Sequence, residues 1–158
     1  LGAVKLNDAL RESLPSLLKD FDIIHLCGKG HKEESLEGTK GYRQFEYVTD
    51  ELADLFAATD VIIARAGSNS ISEFLALKKP HLLIPLSAKA SRGDQILNAA
   101  SYEKQGFAMV LPEEELTAET METKVRELYA NRETYIAAME KSTQNNGVEA
   151  VMSLIRQF

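Results

Sequence analysis

The sequence predicts an α/β protein built on a Rossmann-like, doubly wound parallel sheet. Short, continuous apolar runs recur along the chain, and glycine or proline bounds most of them. Runs of this kind are typical of strands that are buried on both faces of a parallel sheet. Stretches with helical apolar spacing separate the runs, so strand and helix alternate, which is the pattern of a doubly wound α/β fold.

We expect the strands at the apolar runs, which are residues 22–27, 44–48, 61–64, 81–85 and 107–111. The first run ends at Gly28, and the third ends at Arg65, shortly before Gly67. The fourth run follows Pro80 and the fifth follows Gly106. Glycine and proline interrupt regular structure, so these residues indicate where the strands begin and end.

Helices are expected between the strands, because apolar residues recur there at helical spacing. Their apolar faces consist of Val4, Leu6, Leu10, Leu14, Leu17 and Leu18; Leu52, Leu55 and Phe56; Ile71, Phe74, Leu75 and Leu77; and Ile96, Leu97 and Ala100. Thr49 or Asp50 would cap the second of these helices. Later helices are expected near 117–130, 132–142 and 146–157, with Asn146-Gly147 dividing the last two.

Composition limits the classes of function. The chain has 158 residues, a net charge of -6 and a pI near 5.1, so we expect one soluble domain over residues 1–158 that does not bind nucleic acid. Its single cysteine, Cys27, allows no internal disulfide and suits a small buried side chain. The three histidines do not share a metal-ligand spacing, so no metal is expected. No cofactor is expected either.

Ligands of such sheets bind beyond the carboxyl ends of the strands, and the loop after the third predicted strand has suitable chemistry. Gly67 allows a tight turn and leaves room for a ligand, while Ser68, Asn69 and Ser70 supply donors where a helix begins. This loop is a plausible diphosphate site, although it has neither a P-loop nor a GxGxxG motif. Locally, however, the pattern from Ser70 to Glu73 favours a capping box.

Arg65 requires another explanation, because an arginine at the end of a buried strand needs a partner. In a second loop, Asp94 and Gln95 offer a carboxylate and an amide that together suit sugar hydroxyls, although Asp94 could equally cap a helix. Two other stretches have plainer interpretations. Gly28–Gly30 reads as a turn, although Lys29 or His31 could face a phosphate, and Glu113–Glu115 reads as a solvated helix entry.

Four segments together resemble a known family: "LGAVKLN", "HLCGKG", "ATDVIIARAGSNSISEFLALKKPHLLIPL" and "ASRGDQILNA". They are similar to the C-terminal half of the MurG family, in the form found in low-GC Gram-positive bacteria. The resemblance implies the donor-binding domain of an inverting GT-B glycosyltransferase of peptidoglycan synthesis. It also implies that a strand, a glycine-rich loop and the acceptor domain precede this segment. The segment alone would hold no catalytic residue and would be inactive.

The resemblance assigns roles toward UDP-N-acetylglucosamine. The backbone near Val48 would meet uracil, and Arg65 would lie at the donor pocket. Glu73 would accept hydrogen bonds from the ribose hydroxyls, in place of the capping role. Asp94 and Gln95 would face the N-acetylglucosamine, with Gln95 the more important of the two.

The same resemblance assigns the diphosphate to Ser68, Asn69 and Ser70, through backbone and hydroxyl donors. The lipid-linked acceptor would be held by the N-terminal domain. Only the full-length enzyme would associate with the cytoplasmic face of the cell membrane.

Two alternatives remain open. One is another GT-B enzyme, either a UDP-sugar:diacylglycerol glycosyltransferase or a UDP-N-acetylglucosamine 2-epimerase, although the acid and base residues of an epimerase are not evident. The other is a non-catalytic, flavodoxin-like binding domain. A receiver-type domain would carry an acidic cluster at the strand end, where this sequence has Arg65 and Gly67.

Overall fold

The structure, a computed structural model, describes residues 2–142, except for the side chains of residues 2, 3, 90 and 91. The helix predicted near 146–157 and its Asn146-Gly147 boundary therefore lie outside the described residues. Within that range the chain forms two units, which are described separately below. Unit one contains residues 2–59 and 115–123, and unit two contains residues 60–114 and 124–142.

Unit one contains a parallel pair of strands and its helices. The elements are helix α1 (Gly2–Leu17), strand β1 (Ile23–Leu26), a 3-10 turn (Glu34–Leu36), strand β2 (Tyr42–Phe45) and helix α2 (Leu52–Ala58). In the register of the pair, Ile23 lies opposite Tyr42 and Leu26 opposite Phe45. Leu14 and Leu17 of α1 are buried, as its apolar spacing predicted, whereas Val4, which was predicted on the same face, is 45% exposed.

A fully bonded polar network lies in the core of unit one. Asn7 Nδ2 donates to the carbonyl of Cys27 at 2.9 Å, so its Oδ1 accepts from His25 Nε2 at 2.8 Å. The Nδ1 of His25 then accepts from the hydroxyl of Tyr42 at 2.7 Å. Burial, and secondarily the positive charge of Arg11, lower the pKa of His25 to about 4, so the ring is neutral at pH 7.

Strand β1 is not buried on both faces as predicted, because Ile24 and Leu26 are 43% and 42% exposed.

Two further predictions in unit one are wrong. The second strand lies at Tyr42–Phe45 and not at 44–48, because only Tyr42 and Gln44 point inward and Tyr47 is exposed. An aromatic run with high strand propensity is not a strand where it has no surface to pack against. The N-cap of α2 is Glu51, and neither Thr49 nor Asp50. A backbone turn from Leu52 N–H to the Thr49 carbonyl, at 3.4 Å, precedes the helix.

Unit two contains a three-stranded parallel sheet in the order β3-β4-β5. Its elements are β3 (Ile62–Ala64), α3 (Ser68–Ala76), β4 (His81–Leu83), α4 (Ala88–Ser91), α5 (Asp94–Lys104), β5 (Ala108–Val110) and a 3-10 turn at Glu113–Glu115, whose last residue falls in unit one. Helix α6 (Ala118–Ala130) is divided between the units, and α7 covers residues 132–142. The central strand β4 is buried along its whole length, as its continuous apolar run predicted.

The buried face of α5 differs from the predicted one. Ile96 and Leu97 were expected to face the core, but they are 41% and 70% exposed. The inner face carries Gln95, Asn98 and Ala99 instead, with Ala99 buried. Polar residues occupy it because this helix lies against the strand ends, where backbone groups need hydrogen-bond partners. Among the described residues, no helix is both long and apolar enough to span a membrane.

Candidate functional site

The candidate site lies in unit two, at the carboxyl ends of its strands. Because the three strands are parallel, the segments that leave them emerge at the same edge of the sheet. Arg65 to Gly67 follow β3, Ile84 to Ser87 follow β4, and Leu111 to Glu113 follow β5. Two groups of side chains tie these segments together, and both contain residues that the sequence had singled out.

The first group is an ion pair between Arg65 and Glu113. Arg65 Nη1 lies 3.4 Å from Glu113 Oε2, and both side chains are 18% exposed. The same nitrogen donates to the carbonyl of Ile84 at 3.1 Å, and Ser87 N–H donates to Glu113 Oε2 at 3.3 Å. Burial lowers the pKa of Arg65, and the Glu113 carboxylate opposes that shift. The pair therefore connects segments that leave all three strands of this sheet.

Arg65 thus has the partner that its position required, and that expectation is confirmed. The interpretation of Glu113 as part of a solvated helix entry is wrong, because its carboxylate is largely buried in this pair. Sequence reasoning missed Glu113 because no local pattern links it to an arginine 48 positions earlier in the chain. The sequence shows that Arg65 needs an acidic partner, but only the fold shows that this partner is Glu113.

The second group consists of Gln95 and Asn98 on α5, which hold Ala66. Gln95 Oε1 accepts from Ala66 N–H at 3.2 Å and from Leu86 N–H at 2.9 Å. Asn98 Nδ2 donates to the Ala66 carbonyl at 3.0 Å. Sequence reasoning missed Asn98, although its position three residues after Gln95 places both side chains on one face of the helix.

These contacts determine what Gln95 can offer a ligand. Its oxygen already accepts from two backbone N–H groups, whereas its Nε2 makes no hydrogen bond within the part of the chain that the structure describes. The sequence predicted an amide that both donates and accepts. In the structure, only the donor side of Gln95 is left for a ligand.

Helix α3 begins with an uncapped first turn. Its N-cap is Gly67, in an extended conformation, and no side chain among the described residues makes a capping hydrogen bond there. The first helical bond runs from Ile71 N–H to the Gly67 carbonyl, so the N–H groups of the exposed Ser68–Ser70 turn have no helical acceptor. Such N–H groups, together with the helix dipole, favour an anion.

The capping box predicted from Ser70 to Glu73 is therefore wrong. Ser70 is the third residue of α3 and not its N-cap, and the side chain of Glu73 is exposed. Gly67 has a φ of −68°, which any residue can adopt, so a tight turn does not explain this glycine. A Cβ added at Gly67 would meet no atom within 4 Å, which agrees with the predicted room for a ligand.

The remaining predicted residues lie at two places. Asp94 is the exposed first residue of α5, and the N-cap is Gly93, so the alternative role of Asp94 as that cap is wrong. Val48 belongs to unit one, where it is half-buried and follows the end of β2. In the same unit, Gly28 and Gly30 have φ angles of 93° and 79°, which confirms the predicted turn.

An apolar cleft of about 190 Å³ adjoins the site in unit two. Pro85, Ile96 and Val110 contribute apolar surface, and Glu113 and Glu114 lie at its lining. Glu113 is paired with Arg65, but the exposed carboxylate of Glu114 makes the cleft unfavourable for a phosphate, so the start of α3 is the better place for an anion. Within the described residues, no group of three or more His, Cys, Asp and Glu side chains is arranged to hold a metal ion.

The parallel strands, the uncapped helix start and the Gln95 amide define a class of protein, the doubly wound α/β domains that bind a ligand beyond the carboxyl ends of their strands. Within that class, residues 1–155 match the model of a single family, described as the glycosyltransferase family 28 C-terminal domain. The chain belongs to this family.

Curated relatives are similar over nearly the whole chain. The chain is 57% identical over 155 residues to a protein of Lachnospira eligens, 56% identical over 156 residues to one of Geobacillus thermodenitrificans, and 54% identical over 158 residues to one of Clostridium botulinum. All three are named UDP-N-acetylglucosamine--N-acetylmuramyl-(pentapeptide) pyrophosphoryl-undecaprenol N-acetylglucosamine transferase. The alignments cover 98–100% of this chain, which spans only 44–45% of those relatives.

Solved structures share the fold. The crystal structure of Acinetobacter baumannii MurG matches with a TM-score of 0.76 at 24% identity, covering 100% of this chain and 47% of that one. The glycosyltransferase of kitacinnamycin matches with a TM-score of 0.75 at 21% identity, covering 98% and 39%. The predicted fold class, a Rossmann-like C-terminal half of a GT-B glycosyltransferase, is confirmed.

Proposed function

We propose that this chain is the donor-binding half of an inverting glycosyltransferase. The complete enzyme would transfer N-acetylglucosamine from UDP-N-acetylglucosamine to lipid-linked N-acetylmuramyl-pentapeptide in peptidoglycan synthesis, converting lipid I to lipid II. The names of the relatives at 54–57% identity support this reaction. One observation of geometry carries the proposal: the uncapped start of α3 and the donor amide of Gln95 are joined through Ala66.

In this proposal the start of α3 binds the diphosphate. The reaction breaks the bond between C1 of the sugar and the diphosphate, so negative charge grows on UDP as it leaves. The N–H groups of Ser68, Asn69 and Ser70 are fixed dipoles that stabilise this charge without reorganising. Donors of this kind are typically worth about 3–4 kcal/mol each in a transition state.

The other proposed contacts hold the donor in place. Gln95 Nε2 donates to a hydroxyl or carbonyl of the N-acetylglucosamine, and the exposed Asp94 accepts from a neighbouring hydroxyl. Glu73, exposed in the second turn of α3, accepts from the ribose hydroxyls. Contacts remote from the broken bond orient the sugar and so lower the entropic barrier.

Arg65 contributes mainly as a structural part of the donor pocket. Its charge is paired with Glu113, and its guanidinium also holds the carbonyl of Ile84. A paired arginine attracts a diphosphate less than an unpaired one would, since the nearby carboxylate cancels much of its field. The main-chain N–H groups of α3 therefore carry most of the proposed diphosphate binding.

The remaining parts of the reaction belong to the complete enzyme. The C4 hydroxyl of the lipid-linked N-acetylmuramic acid attacks C1, and its proton passes to a base outside this segment. The acceptor and the cytoplasmic face of the cell membrane would be met by the N-terminal half of the full-length protein. The 158-residue chain by itself would bind the donor weakly and would not catalyse transfer.

The exchange of Gln95 for glutamate in the full-length enzyme tests the proposal. A carboxylate at this position can still accept from Ala66 and Leu86 N–H, but it cannot donate to the sugar. Because a site that loses a donor to its substrate binds it much less well, we expect the KM for UDP-N-acetylglucosamine to rise about tenfold or more. The matched control is Gln105→Glu, at the exposed carboxyl end of the same helix.

Steady-state kinetics of the wild type and both variants, with UDP-N-acetylglucosamine and with UDP-glucose, measure the donor KM. Preference for UDP-N-acetylglucosamine in the wild type, with a donor defect confined to Gln95→Glu, supports the proposed function. Equal kinetics in the two glutamate variants and the wild type would contradict the site. A preference for UDP-glucose would contradict the proposed substrate and favour a different GT-B enzyme.

A further inference from the structure

We infer that the apolar cleft in unit two binds a basic aliphatic side chain from the peptide of the acceptor, with the amine of that side chain at the acidic residues of the cleft. The inference rests on the function proposed above and adds a contact for the acceptor to it. The cleft lies between α5 and the segments that leave β4 and β5. Its size, its walls and its charges each limit what it can bind.

Apolar side chains from these elements form the walls of the cleft. Pro85 and Pro112 follow β4 and β5, Val110 ends β5, and Ile96 and Ala100 lie on α5. The volume of about 190 Å³ is below the roughly 300–1,000 Å³ of pockets that enclose a whole small molecule. The cleft therefore suits a single aliphatic side chain and not a nucleotide.

The lining also carries more negative charge than the structure pairs. Glu103, Glu113 and Glu114 all line the cleft, and Glu113 is paired with Arg65 at 3.4 Å. Glu103 and Glu114 are exposed, and within the described residues neither side chain has an ion pair or a hydrogen bond. Two negative charges beside apolar walls are complementary to one kind of group, a chain of methylenes that ends in an ammonium.

The position of the cleft connects it to the proposed reaction. Ile96 directly follows Gln95, whose amide is proposed to face the sugar of the donor. In N-acetylmuramyl-pentapeptide, the peptide is attached through the lactyl group on O3, next to the C4 hydroxyl that attacks C1. The peptide therefore leaves the acceptor beside the donor sugar, at the same edge of the sheet as the cleft.

The test uses the full-length enzyme and two synthetic lipid-linked N-acetylmuramyl-pentapeptides. They differ at one position of the peptide, which holds lysine in one acceptor and norleucine in the other, so that only the ammonium group is lost. The double variant Glu103→Gln/Glu114→Gln removes both unpaired charges from the cleft and keeps the shape of the side chains. The matched control is Glu115→Gln/Glu119→Gln, which removes two exposed glutamates that do not line the cleft.

We expect the wild type to favour the lysine acceptor over the norleucine acceptor about fivefold in kcat/KM, because exposed ion pairs contribute modestly. The cleft double variant should favour neither acceptor, and the control should keep the preference of the wild type within about twofold. The KM for UDP-N-acetylglucosamine should be the same in all three proteins. Thermal unfolding, measured in parallel, should show that these substitutions of exposed residues leave the fold intact.

The outcomes distinguish this inference from the proposed function. If the wild type does not transfer N-acetylglucosamine to either acceptor, the proposed function fails, and the inference falls with it. If transfer occurs but the wild type uses both acceptors equally, only the inference fails. It also fails if the cleft double variant keeps the preference for lysine. An equal loss of kcat/KM with both acceptors in that variant would overturn it too, because the cleft would then hold a basic side chain of the enzyme itself.

Discussion

Among individual residues, Gly67 is one whose lack of a side chain matters for ligand binding and not for folding. Its φ of −68° suits any residue, and a Cβ there would meet open space, so the fold does not demand glycine. Gly67→Ala should change the free energy of unfolding by less than about 1 kcal/mol. Its methyl group would nevertheless lie beside the first turn of α3, where the diphosphate is proposed to bind.

We therefore expect Gly67→Ala to lower the affinity for UDP about tenfold while leaving the unfolding temperature nearly unchanged. Isothermal titration and thermal unfolding of the full-length protein measure the two quantities. Gly38→Ala is the matched control, because Gly38 also faces open space but has a φ of 81° that strains an alanine. The control should lose stability and keep UDP binding, and the reverse pattern would contradict our account of Gly67.

His25 gives a prediction about pH. Its pKa is about 4 in the folded chain, below the ordinary value of 6.5, chiefly because the ring is buried. As the pH falls below about 6.5, the unfolded chain takes up a proton that the folded chain does not, so stability falls. The loss approaches about 1.4 kcal/mol per pH unit and is complete below the folded pKa of about 4.

Urea denaturation at about pH 7.5, 6.0 and 5.0, for wild type and His25→Gln, tests this dependence. The variant should be less stable at high pH, because it loses bonds to Asn7 and Tyr42. Its stability should fall less steeply toward low pH, because the titrating ring is gone. Parallel pH profiles for the two proteins would show that His25 does not titrate as we infer.

Secondary-structure elements could be predicted from the sequence where apolar residues pack into the core. The strand β4 could be predicted because a central parallel strand needs a continuous apolar run, and His81–Leu83 is buried throughout. The apolar face of α5 could not be predicted from periodicity. Its inner face holds Gln95 and Asn98, which serve backbone groups at the strand ends, while Leu97 is exposed. Periodicity assumes that apolar residues face inward, and this helix meets a polar surface.

The candidate site, like the helices and strands, could be predicted only in part. Gln95 and the start of α3 could be proposed from the sequence because helices that follow parallel strands place their first turns at the ligand edge, and donor binding there stays a prediction. The roles of Glu113 and Asn98 depend on contacts across 48 and 32 positions of the chain. No local sequence pattern connects residues so far apart, so these contacts could be identified only from the folded structure.

For the whole molecule, charge provides an independent test of how an anion is bound. The chain carries a net charge of -6, which repels UDP at long range. In our proposal, main-chain N–H dipoles bind the diphosphate, and Arg65 is already paired with Glu113. A site made of such dipoles has a short reach and does not depend on attraction between a free cation and the phosphates.

Titration of UDP into this 158-residue chain at different salt concentrations therefore distinguishes two kinds of site. Salt screens charges over about 10 Å at 0.1 M, so raising sodium chloride from about 20 to 200 mM should weaken the repulsion from the acidic surface. We expect the affinity, though low, to stay constant or rise slightly, when followed by the amide chemical shifts of Ser68, Asn69 and Ser70. A fall of about tenfold over this range would instead indicate that free cations such as Lys29 bind the phosphates. Lys29→Ala would then abolish the salt dependence, and the α3 start would lose its proposed role.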